Sequence, residues 1–81
     1  MSDNHVTFGQ QHGYMFFQNR AAKEKTTFAV QERALNEKAN EDWVVTITVG
    51  GAEYTAGPMK TKQAAKDAAA EKAQRGLNWI P

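Results

Sequence analysis

Cysteine is absent from this chain of 81 residues, so neither a disulfide framework nor a thiolate metal site can hold it together. The absence suits a reducing, intracellular compartment, cytoplasmic or nuclear. No apolar run approaches the roughly 18 residues that span a bilayer, so no membrane partner is expected. The opening MSDNHVTFGQQHGY has no apolar stretch of the signal-peptide kind. Histidine is scarce. His5 and His12 stand near the start with only Asp3 close by, too few groups for a metal site. No Ser/His/Asp set, phosphate-cradling glycine loop or convergent carboxylate pair is present. The sequence therefore predicts no enzyme, no metal and no cofactor. A strong net charge is missing too: the formal value is +1.

What charge there is lies unevenly. Residues 60–77 carry Lys60, Lys62, Lys66, Lys72 and Arg75 against Asp67 and Glu71. Residues 31–42 carry Arg33 and Lys38 against Glu32, Glu37, Glu41 and Asp42. The basic end is where a polyanion is expected to bind. At this length the chain is one small domain with a thin core, in which each large apolar residue counts.

The local patterns give an order of elements. Residues 1–12 are polar and without period, and read as a flexible leader; residues 13–81 read as the domain. Residues 13–25 predict a helix, with Tyr14, Phe17 and Ala21 on one stripe and Met15 and Phe16 off it. Residues 26–33 alternate, with Phe28 and Val30 on one face of a strand. Residues 34–42 read as a charged connection. Trp43, Val45, Ile47 and Val49 point one way and Val44, Thr46 and Thr48 the other, the clearest strand of the chain. Gly50-Gly51 suits a two-residue hairpin turn. Ala52–Ala56 pairs back, and Gly57-Pro58 is expected to break it. Thr61 is a good N-cap for a helix from Lys62. In that helix Lys62, Lys66, Ala69, Ala73 and Leu77 share a stripe, and Gly76 is a candidate cap. The stripe begins basic, so its two lysines are expected to project past the sheet, away from ion pairs. Trp79 and Ile80 are placed to fold back over the core.

The resulting class is α+β in the order α-β-β-β-α: a three-stranded antiparallel sheet with both helices on its one consistently apolar face. Lys62 and Lys66, one turn apart, can reach neighbouring phosphates, and the helix N-terminus adds N–H donors and about half a positive charge.

With these elements in place, the chain resembles the double-stranded RNA-binding domain family over about residues 14–77. Val49, Gly50, Gly51, Tyr54 and Gly57 match the family's strand–turn–strand motif. Thr61, Lys62, Ala65, Lys66, Ala69, Ala70, Ala73 and Leu77 match its second helix, and Phe28 the aromatic that opens its first strand. There are departures. Gln63 stands where a second lysine is usual, Met59 replaces a glycine and Gln74 a leucine. The first helix has no counterpart of the usual glutamate, and the first inter-strand loop lacks the usual Gly-Pro-x-His. The resemblance implies binding of double-stranded RNA by shape rather than sequence, over about 16 bp. It implies phosphate contacts from Lys60, Lys62 and Lys66, with Gln63 as a phosphate or ribose partner. Gln18 and Asn19 become candidate minor-groove donors, and Lys38 a stand-in for the loop histidine. Trp43 and Tyr54 read as core residues rather than base-stacking platforms. The missing loop histidine, the missing second lysine and the near-neutral charge point to an alternative, a protein-interaction or dimerisation module of the same fold, with a protein partner or a second copy of itself. The Thr61-Lys62…Lys66 cluster with Lys60 favours RNA binding, which is the reading taken.

Overall fold

A computed structural model of the chain describes residues 13–36, 38 and 41–81; the expected leader, with His5 and His12, lies outside them. The elements are α1 (Tyr14–Lys23), β1 (Phe28–Asn36), β2 (Glu41–Val49), β3 (Ala52–Met59) and α2 (Lys62–Gly76). The strands form one antiparallel sheet in the order β1-β2-β3, which is the expected α-β-β-β-α arrangement. No helix among the described residues is long and apolar enough to cross a membrane.

Side-chain alternation fixes which face of the sheet is covered. Val45, Ile47 and Val49 of β2 are buried, as are Phe17 and Ala21 of α1 and Ala65, Ala69, Ala70 and Ala73 of α2. Across the register, Phe28 faces Val49, Val30 faces Ile47, and Tyr54 faces Ile47 from the other side. Each large side chain withdrawn from water contributes about 1.5–3 kcal/mol. The alanines contribute differently: they have little bulk, so the α2 axis comes close to the sheet. On the other face the Thr46 and Thr55 hydroxyls bond across the strands at 2.9 Å.

The expected stripe of α1 holds, with Phe17 and Ala21 inside and Met15 and Phe16 exposed. Both helices end on a residue with positive φ that is not glycine, Lys25 (φ 56°) and Asn78 (φ 61°). Thr26 and Trp79 then donate their N–H groups back to the Ala21 and Gln74 carbonyls, each at 2.8 Å, closing Schellman-type turns. The second of these sets Trp79 on Phe17, ring centres 5.9 Å apart, and under the Arg20 guanidinium at 5.2 Å.

Three local expectations are corrected. β1 does not stop at Arg33. It continues to Asn36, because Ala34 and Asn36 still find partners in Trp43 and Glu41, and a backbone ladder does not require apolar side chains. β3 runs through Gly57-Pro58 to Met59, with a register shift between Trp43 and Val45. Proline lacks an N–H, but β3 is an edge strand, where that loss is tolerated. Gly76 is not the cap: α2 includes it, and a side chain there would run into the Tyr54 ring. The two glycines with positive φ at the hairpin, Gly50 (62°) and Gly51 (80°), do make the expected turn.

Candidate nucleic-acid interface

Thr61 has extended backbone and its hydroxyl accepts the Ala64 N–H at 3.0 Å, so α2 starts where the sequence placed it. The first turn holds no acid. Lys60 lies just ahead of the cap and is exposed. β3 delivers the chain to this point at the end of the sheet where Met59 faces Trp43. The β1–β2 connection, with exposed Lys38, lies at the same end, since Asn36 and Glu41 close the β1–β2 ladder there.

Lys62 and Lys66 come together, but not in open solvent. Both converge on the carboxylate of Glu32 in β1. Lys66 Nζ is 3.0 Å from one oxygen and Lys62 Nζ 3.8 Å from the other. Each ammonium also rests against an aromatic ring, Lys62 at 5.0 Å from the Trp43 centre and Lys66 at 4.9 Å from that of Tyr14. The expectation of lysines away from ion pairs is therefore wrong. The reason is register. Glu32 stands opposite Val45, on the helix-covered face, just where α2 begins. A carboxylate on that face needs positive partners, and α2 provides two. Lys66 and Lys62 hold the Glu32 carboxyl below the usual carboxylate range against an opposing effect of burial, the Lys66 hydrogen bond acting most. The side chains keep unequal access: 48% for Lys62, 22% for Lys66 and 29% for Glu32.

A second carboxylate ties the two helices. Asp67 Oδ1 accepts the backbone N–H of Tyr14 at 2.8 Å and the Gln63 side-chain amide at 3.0 Å. Gly13, the residue before α1, supplies no side-chain cap, so α2 supplies one across the structure. Gln63 is thereby held on the surface beside Lys62 and Lys66. Gln18 and Asn19 are exposed along α1, whose start adjoins Asp67 and whose later turn adjoins Trp79. The two helices thus run in the same direction. Lys72 is not a spectator of the fold, because its Nζ donates to the Thr55 carbonyl on β3 at 2.8 Å.

Sequence reasoning missed Glu32 and Asp67. The signal for Glu32 was present: continuing the Phe28, Val30 alternation by one step puts residue 32 on the covered face. Nothing in the local pattern points to Asp67 as the cap of a helix 53 residues earlier.

Comparison of the chain with models of known families, with curated proteins and with solved structures gives no match.

Proposed function

We propose that this domain binds double-stranded RNA by shape, through phosphate contacts centred on the start of α2. The observation that carries the reading is the convergence of Lys62 and Lys66 on a single carboxylate at a capped helix N-terminus whose own first turn holds no acid. Two ammonium groups arranged around one oxyanion are arranged for another, and a phosphate has the same charge-assisted donor requirement as a carboxylate. Lys60 beside them adds a third positive charge. A-form RNA brings two phosphate rows close together across its narrow major groove, which a compact cluster of this kind can bridge. The α-β-β-β-α order and the sequence resemblance of residues 43–77 support the same reading. Gln63, Gln18, Asn19 and Lys38 are exposed and serve as secondary contacts in it.

The test is fluorescence anisotropy with an RNA duplex of about 24 bp, longer than the roughly 16 bp such modules span, against the matching DNA duplex. RNA should bind more tightly, with little sequence preference. The salt dependence should correspond to about three to five phosphates at about −0.9 each. Charge removal at Lys62 and Lys66 together should weaken binding by about tenfold or more and flatten the salt slope by up to about two. Lys60→Ala should have a smaller effect, and Lys72→Ala, whose ammonium is engaged by β3, almost none. Equal affinity for RNA and DNA would overturn the A-form reading.

One observation favours a second reading, a protein-interaction or dimerisation module. Met15 is 69% and Phe16 43% exposed on α1, and Phe16 with Ile80 lines a shallow groove beside Arg20 and Lys23. Under that reading RNA affinity is weak and every lysine substitution lowers it by a similar small amount.

A further inference from the structure

Glu32 sits in the middle of the lysine cluster, where the RNA reading requires phosphate. It projects from β1, an edge strand, onto the helix-covered face opposite Val45. Its two oxygens are divided between two cations, one to Lys66 at 3.0 Å and one to Lys62 at 3.8 Å. A duplex phosphate offers each lysine what Glu32 offers, and one ammonium cannot serve both at full strength. Glu32 is also only partly buried, with 29% of its side chain exposed, so it can be displaced without opening the core.

Resting on the RNA-binding reading above, we propose that Glu32 is a built-in competitor for RNA phosphate, which occupies Lys62 and Lys66 in the free protein and releases them when a duplex binds. The free protein holds its lysines near one another and against the Trp43 and Tyr14 rings, so less side-chain freedom is lost on binding. In exchange, affinity is held down, since two ion pairs are broken for the phosphate contacts made. Once displaced, the Glu32 carboxylate keeps about one cation beside the RNA, so the salt dependence of the parent is shallower by about one than its lysine count implies.

The experiment is a double-mutant cycle on the full chain, Glu32→Gln against Lys62→Gln/Lys66→Gln, read by anisotropy with the RNA duplex of about 24 bp at several salt concentrations. Glu32→Gln keeps side-chain length and removes only the charge. Glu32→Thr, a better strand former, is the second variant if the first loses its circular-dichroism melt. Glu32→Gln is expected to bind about threefold to tenfold more tightly at low salt, with a slope steeper by about one. The lysine pair should then matter more in the Glu32→Gln background than in the parent. Binding by Glu32→Gln alone, with none by the parent, overturns it, because Glu32 would then block the lysines rather than release them to a duplex. If the parent binds and Glu32→Gln binds no better, or the cycle shows no coupling, Glu32 is a structural ion pair and the competitor role is overturned while the RNA reading stands. If neither binds under any salt condition, the RNA reading fails and this proposal fails with it.

Discussion

At the end of the sheet where Phe28 faces Val49, the covered layer is almost wholly apolar. Phe17 stacks edge-on against Phe28 with ring centres 4.7 Å apart, Trp79 closes over Phe17, and Leu77 approaches Gly50. At the other end, where Ala34 faces Trp43, the same layer contains Glu32, Lys62 and Lys66 with aromatic rings beneath the ammonium groups. The same two helices and the same sheet thus produce a sealed end and a charged end. The difference separates a part of the layer held by apolar burial from a part held by charge. Apolar groups carry no charge to be screened or titrated, whereas the charged end rests on ion pairs that a ligand, a proton or salt can replace.

The largest break in that comparison is expected at the apolar core. Ile47 is fully buried at the centre of β2, and Ile47→Ala should destabilise by about 2–5 kcal/mol in urea or thermal unfolding. In a domain this small that is a large part of the total stability. A melting temperature within a degree or two of the parent would contradict the assignment of strand faces.

A smaller effect is expected where the two helices are tied. Asp67→Ala removes the acceptor for the Tyr14 N–H and for Gln63, and should destabilise by about 0.5–2 kcal/mol, the range for losing a helix N-cap. The loss should appear as faster hydrogen exchange at the first turn of α1 while the Ile47 amide stays protected. Uniformly faster exchange across both would show that α1 has no separate tie.

The smallest effect belongs to the charged end. The Glu32 carboxyl titrates lower in the folded chain than in the unfolded one. Its contribution to stability is therefore complete above the ordinary glutamate range and is lost as pH falls through the lowered folded value. The pairs are partly exposed, so the contribution is about 1 kcal/mol or less. Parent and Glu32→Gln stabilities, measured by urea unfolding across the acid range, should differ above that window and converge below it. A difference that stays constant into strong acid would show that Glu32 is not the titrating group.

The elements that were legible in the sequence are those set by neighbours in the chain. Val45, Ile47 and Val49 alternate, Gly50-Gly51 allows positive φ, and Thr61 precedes a run of good helix formers. Each is a local physical requirement, and each appears in the structure where the pattern puts it. Where the reading went wrong, long-range pairing overrode local composition: β1 extends through Ala34, Leu35 and Asn36 because β2 lies beside it, and β3 passes Gly57-Pro58 because it is an edge strand of the three-stranded sheet.

By itself, then, the sequence determined the element order, the buried strand face, the cap of α2 and the position of a lysine cluster at its start. Only the tertiary structure decided what those lysines meet. Glu32 is 30 and 34 residues from Lys62 and Lys66 in the sequence, Asp67 caps a helix 53 residues before it, and Lys72 reaches a carbonyl 17 residues back. Charge counted along the chain separates the acidic and basic segments, but the register of an edge strand sets one carboxylate of the first against two ammonium groups of the second. Electrostatic energy follows distance in space, and that distance is fixed by packing rather than by sequence spacing.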